Sequence, residues 1–297
     1  MAIKKISRRT LIKNTTFATI AGALYLNTPF RLFAQYNPTS RVVLVRDKDL
    51  LDASGVINKT ILEEMLNKAL IKITGEENIS AAWKKLVTPE DIVGVKTNVW
   101  RHLSTPTELE NIIAEKLKKA GVAENNISVK DRGVLNDEVF KKATALINVR
   151  PSRTHNWSGV GSLLKNYIMF SPKPSSYHPD TCADLAKLWE LPIVKGKTRL
   201  NILVMITPLF HGSGPHHYNA NYTWRYNGLL VGTDPVAVDS IGVQILKAKR
   251  KEFFGEDRPI NPPPKHIMLA ETRHKLGVAN PEKIELIKLG WQDNILI

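Results

Sequence analysis

Short apolar runs alternate with helical patterns along most of this chain, and this alternation limits the fold more than any other feature. Residues 41–45, Arg-Val-Val-Leu-Val, have the continuous apolar character of a strand that is buried on both faces. Residues 57–73 follow with apolar side chains at helical spacing. Further apolar runs, which we interpret as strands, occupy 91–96, 127–130, 145–149, 200–206 and 228–231. Repeated strand-then-helix units are typical of α/β proteins.

Two sequences predict where helices begin. Thr105-Pro106-Thr107-Glu108 matches a capping box with proline at the first helical position, and it predicts a helix that ends near Gly121. Asp234-Pro235 predicts another helix, with Asp234 as its N-cap, that runs to about Arg250. We therefore predict an α/β fold with a mostly parallel central sheet and helices on both faces, layered as in a Rossmann fold. No G-x-G-x-x-G sequence follows a strand, so a nucleotide cofactor is not supported.

The N-terminal residues indicate export. Residues 7–13, Ser-Arg-Arg-Thr-Leu-Ile-Lys, follow the twin-arginine pattern S/T-R-R-x-F-L-K. The weakly apolar stretch at 15–26 is shorter than the roughly 20 residues that a spanning helix needs, so we expect no stable membrane span. We predict that residues 1–34 are a signal for the twin-arginine translocase and that the protein is periplasmic or otherwise exported. Cleavage after Ala34 and an uncleaved anchor both stay open.

Behind this signal, we expect a linker at 35–40 and a single α/β domain at 41–297. The formal net charge of the whole chain is +14, and six basic residues but no acidic residue lie in 1–34, so the rest carries +8. This excess is dispersed and contains no long run of Lys and Arg, so we expect no nucleic-acid partner. It favours a small anionic ligand, although solubility alone also accounts for it.

Cysteine usage limits the cofactors. Cys182 is the only cysteine, which excludes an intramolecular disulfide and an iron–sulfur cluster that is held by thiolates of this chain alone. The sequence does not identify a cofactor. Because only one thiolate is available, a divalent metal would need mainly oxygen and nitrogen ligands.

Ligands of open parallel sheets bind beyond the carboxyl ends of the strands, so polar residues that follow the apolar runs are candidates for a site. These residues are Lys96, Asn98, Arg101, His102, Asp131, Arg132, Arg150, Arg153, His155 and His211.

The segment at 210–218, Phe-His-Gly-Ser-Gly-Pro-His-His-Tyr, carries three of the eight histidines and follows the run at 200–206, whose strand we expect to end at Thr207-Pro208. One interpretation is a divalent metal site formed by His155, His216 and Asp131.

Two other interpretations of this segment stay open. Gly212 and Gly214 could turn backbone N–H groups toward a phosphate or carboxylate and so bind an anion. The segment could also be a turn, in which the glycines permit positive φ.

Several motifs, taken in order, resemble the family called domain of unknown function 362. The resemblance covers roughly residues 41–280, and its most specific parts are Gly-Thr-Asp-Pro-Val-Ala-Val-Asp at 232–239 and the pairing of His155 with Lys165-Asn166. The remaining motifs are Val-Lys-Thr-Asn at 95–98, Leu-Ile-Asn-Val-Arg at 146–150, Gly-Val-Gly-Ser-Leu-Leu-Lys-Asn at 159–166 and Gly-Pro at 214–215. The resemblance implies an α/β fold with a site that these motifs share, and no general activity. Many members carry a cysteine-rich, ferredoxin-like segment, which this chain lacks.

We expect an exported enzyme that acts on a small anionic substrate. Lys96 and Lys165 would hold negative charge, Asn98 and Asn166 would orient the substrate, and His155 would be a general acid or base near neutral pH. Lys165 would also be catalytic if burial lowers the pKa of its amine. The alternatives are a periplasmic anion- or metal-binding maturation factor without turnover, and a protein that docks on a polyanion.

Overall fold

The computed structural model describes residues 40–212 and 218–297, and the strands within these ranges form one mixed sheet. The strands are β1 (Ser40–Arg46), β2 (Val93–Lys96), β3 (Ile127–Lys130), β4 (Ala145–His155), β5 (Gly159–Gly161), β6 (Thr198–Leu209), β7 (Gly228–Gly232) and β8 (Ile284–Gly290). The helices that position them are α1 (Lys59–Thr74), α2 (Ile79–Leu86), α3 (Thr107–Lys119), α4 (Glu138–Lys142), α5 (Leu163–Asn166), α6 (Pro235–Phe254) and α7 (Lys265–Thr272).

The strand order is β3-β2-β4-β6-β7-β1-β8, and β5 pairs with β4. Four pairs are parallel: β2 with β3, β2 with β4, β4 with β6 and β1 with β8. β7 is antiparallel to both of its neighbours, and β5 is antiparallel to β4. The predicted α/β fold with a mostly parallel sheet is confirmed.

Side chains of β1 alternate between the two faces of the sheet, as a pleated strand requires. Val43 and Val45 belong to the core that includes α1, α2 and α3, whereas Val42 and Leu44 pack with residues of α6. All four are at most 1% exposed. Fully burying such a side chain contributes about 1.5–3 kcal/mol. The sequence of β1 is continuously apolar because helices cover both faces of the strand.

Several elements differ from their predicted bounds. The strand predicted at 145–149 extends to His155, and the strand predicted at 200–206 extends to Leu209, so Thr207-Pro208 does not end it. Both extensions continue through polar residues and proline, where the apolar signal stops. The edge strand β8 was not predicted, because its side chains are mostly only half-buried and its apolar pattern is weak.

The structure confirms one predicted helix start and corrects the other. Asp234 Oδ1 accepts hydrogen bonds from the N–H groups of Val236 and Ala237, so Asp234 is the N-cap of α6. The capping box at 105–108 is wrong, because the N-cap of α3 is Pro106 and no side chain caps this helix. Thr105 Oγ1 instead accepts a hydrogen bond from the N–H of Asn98 and so fixes the chain after β2.

The predicted export signal lies outside the described residues, as do residues 213–217. Within 40–212 and 218–297, no helix has both the length and the apolar character to cross a membrane. The first strand begins at Ser40, one residue before the predicted start of the domain.

Candidate functional site

A cleft of about 310 Å³ opens where β2 and β3 end and along the last part of β4. Trp100, Trp157 and Met169 contribute apolar walls. Its polar lining includes Asn98, Asp131, Arg150, Arg153, His155, Lys165 and Asn166. These residues come from separate motifs of the sequence, and parallel pairing of β2, β3 and β4 brings them to one edge of the sheet.

Three of these side chains, from the last part of β4, lie close together. The pairing of β4 with β6 is irregular here, because Pro151 pairs with Val204 but Arg153 pairs with Leu209, so the extra residues lie in β6. A Cβ atom at Gly161 would lie 3.1 Å from Arg150 Nη2, 3.3 Å from Arg153 Nε and 3.3 Å from His155 Cδ2. The three side chains therefore meet over Gly161 of β5, where a larger residue would displace them.

The two arginines carry buried positive charge that forms no ion pair with a carboxylate of residues 40–212 or 218–297. Arg150 and Arg153 are each 4% exposed, and no carboxylate in the described parts of the chain lies within ion-pair distance of either guanidinium. Arg150 Nε and Arg153 Nε and Nη1 are buried without a hydrogen-bond partner there. Burial lowers the pKa of Arg150 to about 10 and that of Arg153 to about 8, so both remain charged at pH 7. Such a pair of cations needs a counterion.

Contacts with neighbouring groups hold the two guanidinium groups in place. Arg150 Nη1 donates a hydrogen bond of 3.4 Å to the carbonyl of Ser162. The guanidinium carbon of Arg153 lies 4.2 Å from the centre of the Trp100 ring, which is a cation–π contact. The free nitrogens are thus preorganised, as a binding site for an anion requires.

Lys96 and Asp131 form a buried ion pair behind this lining. Lys96 Nζ lies 2.6 Å from Asp131 Oδ1, and Asp131 Oδ2 accepts a hydrogen bond from the N–H of Val99. Burial lowers the pKa of Lys96 to about 8. Burial opposes ionisation of Asp131, but the Lys96 ammonium outweighs it and lowers the pKa of the carboxyl. The side chain of Lys96 is fully buried and its ammonium is paired with Asp131. This arrangement does not favour the predicted role of Lys96, which was to bind the negative charge of a ligand.

The two predicted asparagines have different surroundings. Asn166 Nδ2 contacts the carbonyl oxygens of Lys96 and Val149 and Asn148 Oδ1, so Asn166 joins β2 and β4 and has no donor left for a substrate. Asn98 Oδ1, in contrast, is buried without a partner in the described chain, and Asn98 lines the cleft. Asn98 therefore remains available to orient a ligand.

Lys165 lies in the cleft wall without an acidic partner. Its side chain is on α5, the residue is 3% exposed, and Nζ donates a hydrogen bond of 3.3 Å to Cys182 Sγ. No carboxylate of residues 40–212 or 218–297 forms an ion pair with it. Burial lowers the pKa of Lys165, and the charges of Arg150 and Arg153 lower it further. A depressed pKa favours the neutral amine, which is the nucleophilic form.

A buried carboxylate fixes the helix that carries Lys165. Asp239 Oδ1 and Oδ2 accept hydrogen bonds of 2.9 Å from the N–H groups of Leu163 and Leu164, at the start of α5. Burial raises the pKa of Asp239 to about 6, against these hydrogen bonds. Asp239 therefore positions α5 and does not face a substrate.

His155 lies in the cleft but is not set up as an acid near neutral pH. Burial, followed by the charges of Lys165 and Arg150, holds the pKa of His155 far below its ordinary value. Its Nδ1 accepts a hydrogen bond of 3.2 Å from the N–H of Trp157, which assigns the proton of the neutral ring to Nε2. Near neutral pH the ring is therefore uncharged and can donate a hydrogen bond from Nε2, and its predicted role as a general acid or base stays a prediction.

Of the residues named for the segment at 210–218, Gly214 and His216 lie outside the described residues. Gly212 does not line the cleft, and its carbonyl accepts a hydrogen bond from the Thr154 hydroxyl. His211 Nδ1 lies 2.8 Å from Arg250 Nη1, away from the cleft lining.

The described residues do not favour the predicted metal site of His155, His216 and Asp131. Across residues 40–212 and 218–297, no three His, Cys, Asp or Glu side chains come together as a metal site. Both oxygens of Asp131 already have partners, and cationic side chains surround His155. This charge distribution favours an anion over a divalent cation.

Arg150 and Arg153 were candidates from the sequence, but no role was predicted for either. They follow the strand predicted at 145–149, whereas the observed β4 includes both of them. The available signal is the presence of two arginines directly after an apolar run, where ligands of parallel sheets bind.

The search of curated proteins and the search of solved structures each gave no significant match. A family model, described as domain of unknown function (DUF362), matches residues 94–244. This match includes every described residue of the cleft named above together with Asp234 and Asp239, and it covers half of the chain. The protein therefore belongs to the DUF362 family.

Proposed function

We propose that this protein is an enzyme that acts on a small anionic substrate, whose charged group binds between Arg150 and Arg153. The observation that carries this proposal is the pair of buried guanidinium groups whose nitrogens include unpaired ones and which form no ion pair in the described part of the chain. Planar guanidinium groups bind carboxylate, phosphate and sulfate groups through paired hydrogen bonds.

The neighbouring groups support a site for an anion rather than for a cation. Neutral His155 offers an Nε2–H donor, and the free oxygen of Asn98 can accept a hydrogen bond from a substrate hydroxyl or amine. A volume of about 310 Å³ suits a small organic acid or phosphate ester.

Lys165 favours an enzyme over a non-catalytic binding or maturation factor. A binding protein needs only the arginines. A buried amine without a carboxylate partner in the described chain lowers the stability of the fold, so its presence in the cleft favours a catalytic role. The amine lies in the same cleft as the arginines. A bound anion would therefore place its reacting part near a nucleophile.

We also propose that the protein is exported by the twin-arginine translocase, so that its substrate is periplasmic or extracellular. The support for this step is the Ser-Arg-Arg-Thr-Leu-Ile-Lys sequence at 7–13.

Isothermal titration with sulfate, phosphate and malonate, in a zwitterionic buffer low in chloride, tests the anion site. We expect saturable binding of at least one anion, and Arg150→Met should weaken it by about tenfold or more, since a hydrogen bond to a charged group contributes about 1.5–3 kcal/mol. Arg199→Gln is the control, because Arg199 is exposed near the start of β6, at the opposite end of the sheet. Absence of binding by all three anions, or equal binding by the Arg150 and Arg199 variants, would contradict the proposal.

A further inference from the structure

We propose that Lys165 forms a covalent imine with the carbonyl group of an oxo-carboxylate whose carboxylate is bound by Arg150 and Arg153. This inference rests on the proposed function and narrows it, because it names both the substrate class and the bond that is made. Lys165, Arg150 and Arg153 line one cleft, so a short oxo acid can contact all three.

The surroundings of Lys165 suit a nucleophilic amine. An ammonium with a carboxylate partner would be held in its charged form, but the described chain places two guanidinium groups beside Lys165 and no carboxylate in contact with it. The Nζ atom donates to Cys182 Sγ, and no described group donates a hydrogen bond to Nζ. The lone pair of a neutral amine is therefore available for attack on a carbonyl carbon.

The backbone around both partners is fixed, as a preorganised nucleophile requires. Asp239 binds the first two N–H groups of α5, which carries Lys165. Cys182 ends a turn in which Asp180, Thr181 and Cys182 have φ of 52°, 53° and 61°. Left-handed φ at three successive residues other than glycine is strained and persists only where surrounding structure enforces it. This strained turn places the Cys182 sulfur against the Lys165 amine.

The reaction needs no external oxidant or reductant. Lys165 Nζ attacks the carbonyl carbon, the π electron pair moves to the oxygen, and one N–H proton is transferred to that oxygen to give a carbinolamine. The nitrogen lone pair then forms the C=N bond as the oxygen leaves with a second proton as water. The products are an imine and one water molecule, and the carboxylate of the substrate offsets the two guanidinium charges throughout.

Reductive trapping tests this inference on the wild-type protein. The protein is incubated at neutral pH with sodium cyanoborohydride and either pyruvate or acetoacetate, and the modified residue is located by peptide mass spectrometry. We expect at least one of these acids to label Lys165 about tenfold more than any exposed lysine, because protonated surface ammonium groups are not nucleophilic. An anion that binds the cleft, such as malonate, should suppress the labelling.

Two variants serve as controls. Lys165→Met should lose the specific adduct, whereas Lys173→Arg should keep it, since Lys173 is exposed and does not line the cleft. Labelling spread over surface lysines, or a product on Cys182 in place of Lys165, would overturn the inference.

The outcome separates this inference from the proposed function. If sulfate, phosphate or malonate binds in an arginine-dependent manner but neither oxo acid labels Lys165, the imine is refuted and the anion site stands. If no anion binds and no labelling occurs, both are refuted.

Discussion

Replacing Arg153 by methionine should make the ligand-free protein more stable while removing its response to anions. Most substitutions of buried residues destabilise a protein. Arg153 differs because its charge is buried beside Arg150 without a carboxylate partner in the described chain, so the folded state bears an electrostatic cost that a ligand is expected to relieve. Methionine keeps an unbranched apolar stem of similar reach that can still pack on Trp100.

The magnitude follows from the pKa and from the contacts that are lost. Burial lowers the pKa of Arg153 from its ordinary value to about 8, which corresponds to about 6 kcal/mol of unfavourable free energy for the buried cation. Water in the open cleft and relaxation of the variant reduce the recoverable part to roughly half of this value. Loss of the cation–π contact with Trp100 removes about 1–2 kcal/mol. The free energy of unfolding should therefore rise by about 1–2 kcal/mol, and the Tm by about 2–8 °C.

The assay is thermal and urea unfolding of wild type and Arg153→Met, with and without a saturating anion. An anion at a hundred times its Kd should stabilise the wild type by about 2.7 kcal/mol and the variant far less, so the order of stability should reverse. Arg199→Gln, an exposed position, should show neither effect. If Arg153→Met is less stable than wild type in anion-free buffer and is still stabilised by the anion, then Arg153 is a structural residue and the reasoning is wrong.

Three further predictions concern Asp239, the metal hypothesis and export. Because the pKa of Asp239 is raised to about 6, the folded state binds a proton between about pH 4 and 6 that the unfolded state does not, so stability should fall as pH rises through this window. Urea unfolding should show a loss of up to about 3 kcal/mol that Asp239→Asn lacks, and parallel pH profiles would refute the assignment. His155→Ala should not change the divalent metal content measured by plasma mass spectrometry, since cations surround His155; a stoichiometric metal that the variant loses would restore the metal site. Changing Arg8 and Arg9 together to Lys should abolish export, as assayed by cell fractionation, and intact export would exclude the twin-arginine route.

The sequence predicts the sheet because most of its strands are buried on both faces. β7 and the central part of β6, residues 202–206, for example, appear as uninterrupted apolar runs, and their assignment from the sequence is confirmed. Among the described strands, the edge strand β8 pairs with β1 alone, and its side chains are mostly half-buried, so its pattern does not stand out. The helix α2 was also missed, since it spans only Ile79–Leu86 and its apolar face is short.

The sequence predicts which residues lie at the candidate site, but it does not predict the role of each. Rules for parallel sheets and the family resemblance select Lys96, His155 and Lys165, and the structure places all three in or directly behind one cleft. Which cation is neutralised depends on contacts between distant residues. Asp131 lies 35 positions from Lys96, and nothing in the sequence states that it pairs with Lys96 rather than with Arg150.

The two aspartates of the segment at 232–239 show how a family motif can serve a site that it does not enter. Asp234 caps α6 and also accepts a hydrogen bond from the N–H of Val278, which ties this helix to the chain before β8. Asp239, on α6, binds the first turn of α5 and so sets the position of Lys165. A carboxylate at Asp239 therefore acts on the cleft through a helix. In the proposed function, the chemistry depends on Arg150, Arg153 and Lys165, which form no ion pair within the described residues and which a negatively charged substrate would neutralise.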